Sequence, residues 1–314
     1  MKLRISTAPH IRSGVTTQRI MQDVCIALVP CIIVGVYRFG LNVAVLIAVA
    51  GLTAMLAEYA IQKLMKRKIA VLDFSALVTG LILGLNLSPT APWWLAVVGS
   101  AFAIVIVKAL FGGIGHNFIN PALAARAVLI ASWPVHMTSY HASTGVMQVD
   151  AVASATPLVT KAASYFDLFV GNVHGTIGEI SKVAILVGLV YLLIMQVVSW
   201  RIPVVMIVSV AVFSLFFGED PLYAVLSGGV LFGAVFMATD YTTTPMTAKG
   251  QMLFAAGAGL IVAIIRKYGA YPEGVTYAIL LMNIASPLID KYMKPRLYGK
   301  AKPVREKKEV KADA

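Results

Sequence analysis

Apolar residues run along this chain in long blocks separated by short polar stretches. Ten blocks stand out, near residues 21–36, 41–61, 69–87, 93–111, 119–133, 181–198, 203–217, 222–238, 251–266 and 274–290. Most approach the roughly 20 residues that an α-helix needs to cross a bilayer. The pattern predicts an all-α polytopic membrane protein with about ten transmembrane helices. Two blocks are interrupted, by GLNLSPTAPWW after residue 83 and by GGVLFGAVFMATDYTTTP at 228–245. Gly, Pro and Asn at membrane depth free backbone groups, which is tolerated where protein or a cavity covers them.

The polar stretches divide the chain. Residues 1–133 form an N-terminal half of five blocks, and residues 181–290 a C-terminal half of five more. Between them lies the longest connector, 134–180, and after them a basic tail, 291–314. The halves echo one another weakly. ALVTG at 76–80 is matched by AVLSG at 224–228, and the spacing from Lys108 to Gly115 recurs from Lys267 to Gly274. Five crossings per half is an odd number, so the expected halves are inverted repeats. Folds of that kind hold their sites at the repeat interface, on discontinuous helices.

Composition agrees with this. Of 314 residues, 59% are hydrophobic and only 13% charged, against about 25% charged in an ordinary soluble domain. Net charge is +12, and 17 of the 26 Lys and Arg residues lie in 1–19, 63–68 and 291–311. Short basic loops beside apolar spans mark the cytoplasmic side, which argues against nucleic acid as the partner of this charge. Both termini are expected inside and the 134–180 connector outside, with the tail lying near anionic lipid. No small-residue cleavage site follows the first block, so that block reads as a retained span. Cys25 and Cys31, six apart in the first block, suggest neither a disulfide nor a complete metal site.

Few residues carry candidate chemistry. The connector contains Asp150-Ala151-Val152-Ala153-Ser154-Ala155-Thr156 followed by Pro157. By spacing alone Ser154 or Thr156 reads as a helix cap with proline in the first turn. The segment 112–126, GGIGHNFINPALAAR, offers close backbone approach at Gly113 and hydrogen bonds at Asn117 and Asn120. It also reads as a loop entering a helix at Pro121, with His116 a loop histidine. Asp240, among threonines in ATDYTTTP, reads as a solvated cap or a ligand contact, and Asp73 divides the same way. Glu58, Lys108 and Arg126 fall near expected cytoplasmic ends, where long side chains snorkel to the interface. Trp93, Trp94, Trp133 and Trp200 fall at block ends, as in an aromatic belt.

Three of these segments together resemble one family. DAVASATPL at 150–158, GGIGHNFINPALAAR at 112–126 and FMATDYTTTPMTAKG at 236–250 are similar to segments of a family of membrane flavoproteins. That family includes the subunits lettered D in the Rnf electron transport complex and B in the Na⁺-translocating NADH:quinone reductase. The likeness runs over nearly the full length in the same order; Ala153 stands where family members more often carry Ser or Thr. The resemblance implies that a flavin transferase esterifies FMN to Thr156, with Asp150, Ser154 and Ala155 completing the motif. It also implies a second, non-covalent flavin, riboflavin, near Gly113, Asn117, Asn120 and Asp240. No catalytic residue and no metal ligand is expected. On this reading the chain relays electrons within an ion-translocating ferredoxin:NAD⁺ oxidoreductase in a bacterial or archaeal inner membrane. Its partners are other subunits of the complex: an extracytoplasmic FMN-carrying subunit and subunits bearing iron–sulfur clusters and NAD. The short segment before the first block favours the Rnf branch over the quinone-reducing one. Two other classes remain open, a urea-transporter-like solute channel without flavin and a structural anchor.

Overall fold

The computed structural model describes residues 15–140, 158, 163–269 and 273–294. The described residues are helical, with no strand among them. Helices α1 (Thr17–Phe39) and α2 (Leu41–Leu64) form a long hairpin turned at Gly40. A 3₁₀ turn at Val71–Asp73 leads into α3 (Ser75–Leu85), then α4 (Trp93–Phe102) and a π-helical stretch, Ala103–Ala109. The first half closes with α5 (Pro121–Ser132) and the short α6 (Pro134–Thr138). After α7 (Tyr165–Val170) come α8 (Lys182–Ile194), α9 (Arg201–Phe216), α10 (Pro221–Leu226) and α11 (Val230–Phe232). A second π-helical stretch, Gly233–Met237, precedes α12 (Ala248–Tyr268) and α13 (Val275–Tyr292).

Each apolar block thus carries helix. By length and hydropathy three helices are sufficient to cross a membrane on their own: α1, α2 and α12, with mean hydropathies of 2.1, 2.0 and 1.7. The others are shorter or broken, and the breaks have local causes. α3 stops at Asn86, whose side chain turns back to the Ile82 carbonyl at 2.6 Å. The block at 222–238 splits at Ser227, Gly228 and Gly229, where Gly228 takes a left-handed φ of +64°. Polar caps start the helices that follow. Asn120, Asp220 and Thr247 each accept a backbone N–H of the first turn, the first two with proline next in sequence.

Small residues let the helices approach closely. A Cβ at Gly80 of α3 would lie 2.6 Å from the Ala50 carbonyl oxygen of α2, and one at Gly259 of α12 would lie 2.6 Å from Ser209 Cβ of α9. Close backbone contact of this type supplies van der Waals association where lipid removes the hydrophobic drive between helices. The outer surface is apolar: Ile33, Leu52, Leu56, Leu215 and Phe216 are all exposed. The interior, by contrast, holds Glu58, Lys108, Arg126, Glu179 and Lys182. This distribution is the reverse of a water-soluble domain's.

Residues 175–181, at the end of the central connector, enter the core. The N–H groups of Ile177 and Gly178 donate to the carbonyls of Leu87 and Leu85, at 3.3 and 2.7 Å, and so satisfy the frayed end of α3.

Candidate functional site

Two stretches far apart in sequence meet at one cavity. It lies between α1, α3 and the start of α5 on one side, and the end of α8, the second π-helical stretch and residues 239–242 on the other. Its volume is about 120 Å³. Val78, Ile82, Val235 and Phe236 give it apolar walls, and Thr79, Asn117, Asn120, Thr239 and Asp240 converge on it as polar groups.

Asn120 is held on both sides of its amide. Its Oδ1 accepts from the N–H groups of Ala122 and Leu123, at 3.0 and 3.2 Å, capping α5. Its Nδ2 donates to the Met237 carbonyl at 3.1 Å. That carbonyl lies at the end of a π-helical stretch, where the backbone pattern leaves acceptors without their usual donors. Asn283 of α13, with its amide oxygen towards Asn120, accepts the Asn120 N–H at 3.1 Å. Asn117 is buried and donates to the Ile119 carbonyl at 3.1 Å.

Asp240 sits in a turn of its own making. Its carboxylate accepts from the Thr242 N–H at 3.3 Å and from the hydroxyls of Thr242 and Thr243, at 3.2 and 3.4 Å. Burial pushes this carboxyl above the usual range, and hydrogen bonds from Thr242, Thr243 and Asn117 oppose the push. Gly113 stands apart from the other three. It lies in the loop after the first π-helical stretch with a φ of +97° and open space at its Cβ position. Its neighbour Ile114 lines the cavity instead. Asp150, Ser154, Ala155 and Thr156 lie outside the described residues.

The expectation of snorkelling side chains is overturned. Lys108 and Arg126 are 4% and 3% exposed, and both are paired inside the protein. Lys108 Nζ lies 2.7 Å from Glu58 Oε1. Arg126 donates to Asn86 Oδ1 at 2.8 Å and pairs with Glu273, which also accepts from the Tyr140 hydroxyl at 3.0 Å. Depth along a helix does not decide whether a cation reaches the interface; the side on which neighbouring helices pack does. Lys182 carries no sequence signal of its own, and Arg266 stands out in the sequence only as a cation, with Lys267, at an end expected outside. Lys182 Nζ donates to the carbonyls of Glu179 and Gly228. Arg266 donates to those of Ala224 and Ser227. Each satisfies acceptors exposed where α10 breaks at Ser227 to Gly229, and a helix break followed by a distant cation is the signal that was available.

A second, larger cavity of about 700 Å³ opens between α7, α9, α10 and the end of α12. Leu158, Tyr165, Tyr223, Arg266 and Lys267 are among its walls.

Comparison with known proteins bears on this arrangement. A family model described as the NQR2, RnfD, RnfE family matches residues 4–299. The chain belongs to this family. It is 51% identical to the subunit lettered D of the Na⁺-translocating ferredoxin:NAD⁺ oxidoreductase complex of Acetobacterium woodii, with 99% of each chain covered. It is 40% identical to the subunit of the same letter in the proton-translocating ferredoxin:NAD⁺ oxidoreductase complex of Clostridium ljungdahlii, over 94% of this chain and 96% of that one. A third relative, again lettered D, comes from the ion-translocating oxidoreductase complex of Citrobacter koseri. It is 36% identical over 95% of this chain and 99% of its own. Family membership covers both halves of the smaller cavity, since its wall residues all fall within the matched range.

Proposed function

We propose that the chain is the flavin-carrying membrane subunit of an ion-translocating ferredoxin:NAD⁺ oxidoreductase complex, with FMN esterified to Thr156 and a second, non-covalent flavin in the smaller cavity. The observation that carries the reading is the meeting of Asn117 and Asn120 with Asp240 across the two halves, in one cavity with apolar walls. Bound there, an isoalloxazine ring supplies chemistry in which electrons are accepted singly or in pairs. The residues suit its two ends. The Asn117 amide and the Thr239 hydroxyl match the hydrogen-bonding pyrimidine edge, Val78, Ile82 and Val235 match the apolar rings, and Asn120, held by the α5 cap and Met237, fixes the wall between them. At about 120 Å³ the cavity is smaller than the roughly 300–1,000 Å³ of typical ligand pockets. Entry of a tricyclic ring therefore requires flexible wall side chains such as Met21 to move aside.

For Thr156 the support is the motif itself and a neighbouring space. Leu158, two positions on, borders the 700 Å³ cavity, which also carries Tyr165, Tyr223 and the cations Arg266 and Lys267. An aromatic ring and a phosphate both find partners of the right chemistry among these walls. We further read the two halves as inverted repeats of five spans each, in a bacterial or archaeal cytoplasmic membrane with both termini inside. Partner subunits would supply the iron–sulfur and NAD chemistry, and a flavin transferase would load Thr156.

Mass spectrometry of the peptide from Asp150 to Lys161, after expression with the transferase, tests the covalent site. An FMN-sized adduct on Thr156 that disappears in Thr156→Ala supports it; an unmodified peptide from the intact complex removes it. Acid extraction of the Thr156→Ala complex then tests the second site, because the flavin released there cannot come from Thr156. Reduction of quinone rather than coupling of ferredoxin to NAD⁺ by the purified complex would move the chain to the quinone-reducing branch.

A further inference from the structure

The smaller cavity is connected to one end of the protein by a hydrogen-bonded series that flavin binding alone does not require. Lys108, in the first π-helical stretch, lines the cavity. Its Nζ lies 2.7 Å from Glu58 Oε1 and donates to Ser75 Oγ at 2.6 Å. Ser75 also lines the cavity, and its Oγ donates in turn to Asp73 Oδ1 at 2.6 Å. Asp73 is only partly buried, in the 3₁₀ turn that precedes α3. The basic loop 63–68 lies at this end, since Arg67 donates to the carbonyl of Ala109, next to Lys108, at 3.2 Å.

Stability does not account for the series. Taking an ion pair out of water costs more than its attraction commonly returns, and well-packed apolar residues would serve as well or better. Glu58 Oε2 is buried with no hydrogen-bond partner, so this pair is not even fully satisfied. The helix also departs from α geometry over Ala103–Ala109, where Lys108 enters the core, and π-helical turns of this kind concentrate at functional sites. A buried, incompletely satisfied ion pair on a cavity wall is better explained by the passage of charge.

We propose that Asp73, Ser75 and Lys108 form a proton relay between the end of the protein bearing loop 63–68 and the cavity. The relay rests on the reading of that cavity as a flavin site. Inward transfer starts from the protonated Asp73 carboxyl and the neutral Lys108 amine. The Asp73 O–H proton passes to Ser75 Oγ as the Ser75 hydroxyl proton passes to Lys108 Nζ. Asp73 ends as carboxylate, Ser75 with its hydroxyl re-formed, and Lys108 as ammonium at the cavity wall. No electron moves within the series, and the outward transfer is the reverse. Glu58 is a positioning residue that holds Lys108 Nζ 2.7 Å from its Oε1, beside Ser75. Asp240 and Tyr241, from the opposite half, are the other ionisable side chains on the cavity wall among the described residues. A flavin held in the cavity would supply redox chemistry in which reduction consumes protons, and Asp73, Ser75 and Lys108 would deliver them from the loop 63–68 end.

The test uses the whole purified complex in weakly buffered detergent, mixed with NADH. Flavin absorbance and an indicator dye report reduction and proton uptake together, and uptake is expressed per non-covalent flavin bound. Ser75→Ala removes the hydroxyl with little change in volume. It should slow proton uptake by about a hundredfold, the low side of what positioned proton transfer contributes. Ser75→Thr should restore the rate. Lys108→Met is made together with Glu58→Gln, so that no buried carboxylate is left unpaired, and should slow uptake as much. Unchanged uptake in Ser75→Ala with flavin still bound overturns the relay and leaves the flavin site standing. A wild-type complex without non-covalent flavin overturns the flavin site, and the relay with it.

Discussion

Asn120 and Met237, 117 positions apart, are joined by a hydrogen bond of 3.1 Å from the Asn120 side chain to the Met237 carbonyl. One residue therefore caps α5 and ties it to the second π-helical stretch. Asn120→Ala loses both roles. A lost cap costs about 1 kcal/mol, and a buried carbonyl left without its donor about 1–3 kcal/mol, so the expected destabilisation is about 2–4 kcal/mol. Asn120→Ser keeps a capping oxygen and loses the reach to Met237, so it should lie about 1 kcal/mol above alanine. Chemical denaturation in detergent gives both values. Equal losses in the two variants would show that the cap contributes nothing.

Arg126 and Glu273 form the corresponding link on the other side of α5, reaching towards the start of α13. Arg126 is also bonded to Asn86, so one guanidinium holds the end of α3, the middle of α5 and the segment before α13. Removing one partner of a buried pair strands the other charge. Arg126→Met should cost about 3–5 kcal/mol. Glu273→Gln should cost less, because its side chain is 18% exposed and water can compensate in part. The double variant should recover part of the loss of Arg126→Met, and a double-mutant cycle measures the coupling. Strict additivity of the two single changes would remove the pair as a structural link.

Much of the helical layout was legible because apolar blocks and caps are local signals. Asn120-Pro121 and Asp220-Pro221 announce helix starts in the sequence, and the structure begins α5 and α10 there. The pairs were not legible. Glu58 and Lys108 lie on different helices, and nothing in either block says that α2 and the π-helical stretch will pack so that the two meet. Snorkelling was the reasonable expectation for a lysine near a span end, and it failed because α2 supplied a buried carboxylate. Asn117, Asn120 and Asp240 were singled out through family likeness, and their convergence depends on how two halves pack, which no local pattern encodes. The straight helix expected over 93–111 missed the π-helical stretch because an inserted residue leaves apolar composition unchanged.

His174 offers a pH dependence. It lies in the connector, half-buried, and burial holds its imidazole below the usual value of about 6.5. The folded protein thus prefers neutral histidine, and the unfolded chain binds the proton more readily. Stability should be unaffected well above pH 6.5 and should fall as the pH drops through that value towards the lower folded one. His174→Gln should flatten this part of the profile. Thermal unfolding in detergent between about pH 5 and pH 8 provides the comparison, and identical slopes in both proteins would assign the dependence to other groups.

Gly80 and Gly257 separate a helix contact that cannot yield from one that can. A Cβ at Gly80 would meet the Ala50 carbonyl at 2.6 Å and Gly51 Cα at 2.8 Å, both backbone atoms of α2. A Cβ at Gly257 would meet Met282 Cε at 2.7 Å and its sulfur at 2.8 Å, the far end of a flexible side chain. The distances are nearly the same, so distance alone would rank the substitutions together. What yields differs: Met282 can change rotamer, whereas α2 and α3 must separate as whole helices. Gly80→Ala should therefore cost about 1–3 kcal/mol, and Gly257→Ala less than about 1 kcal/mol. The consequence extends to the cavity, because Val78, Thr79 and Ile82 of α3 are in its wall. Gly80→Ala should lower retention of non-covalent flavin together with melting temperature, while Gly257→Ala leaves both near wild type. Equal melting losses in the two variants would mean that α2 and α3 separate as readily as a methionine turns, and that the close approach at Gly80 does not hold the cavity wall in place.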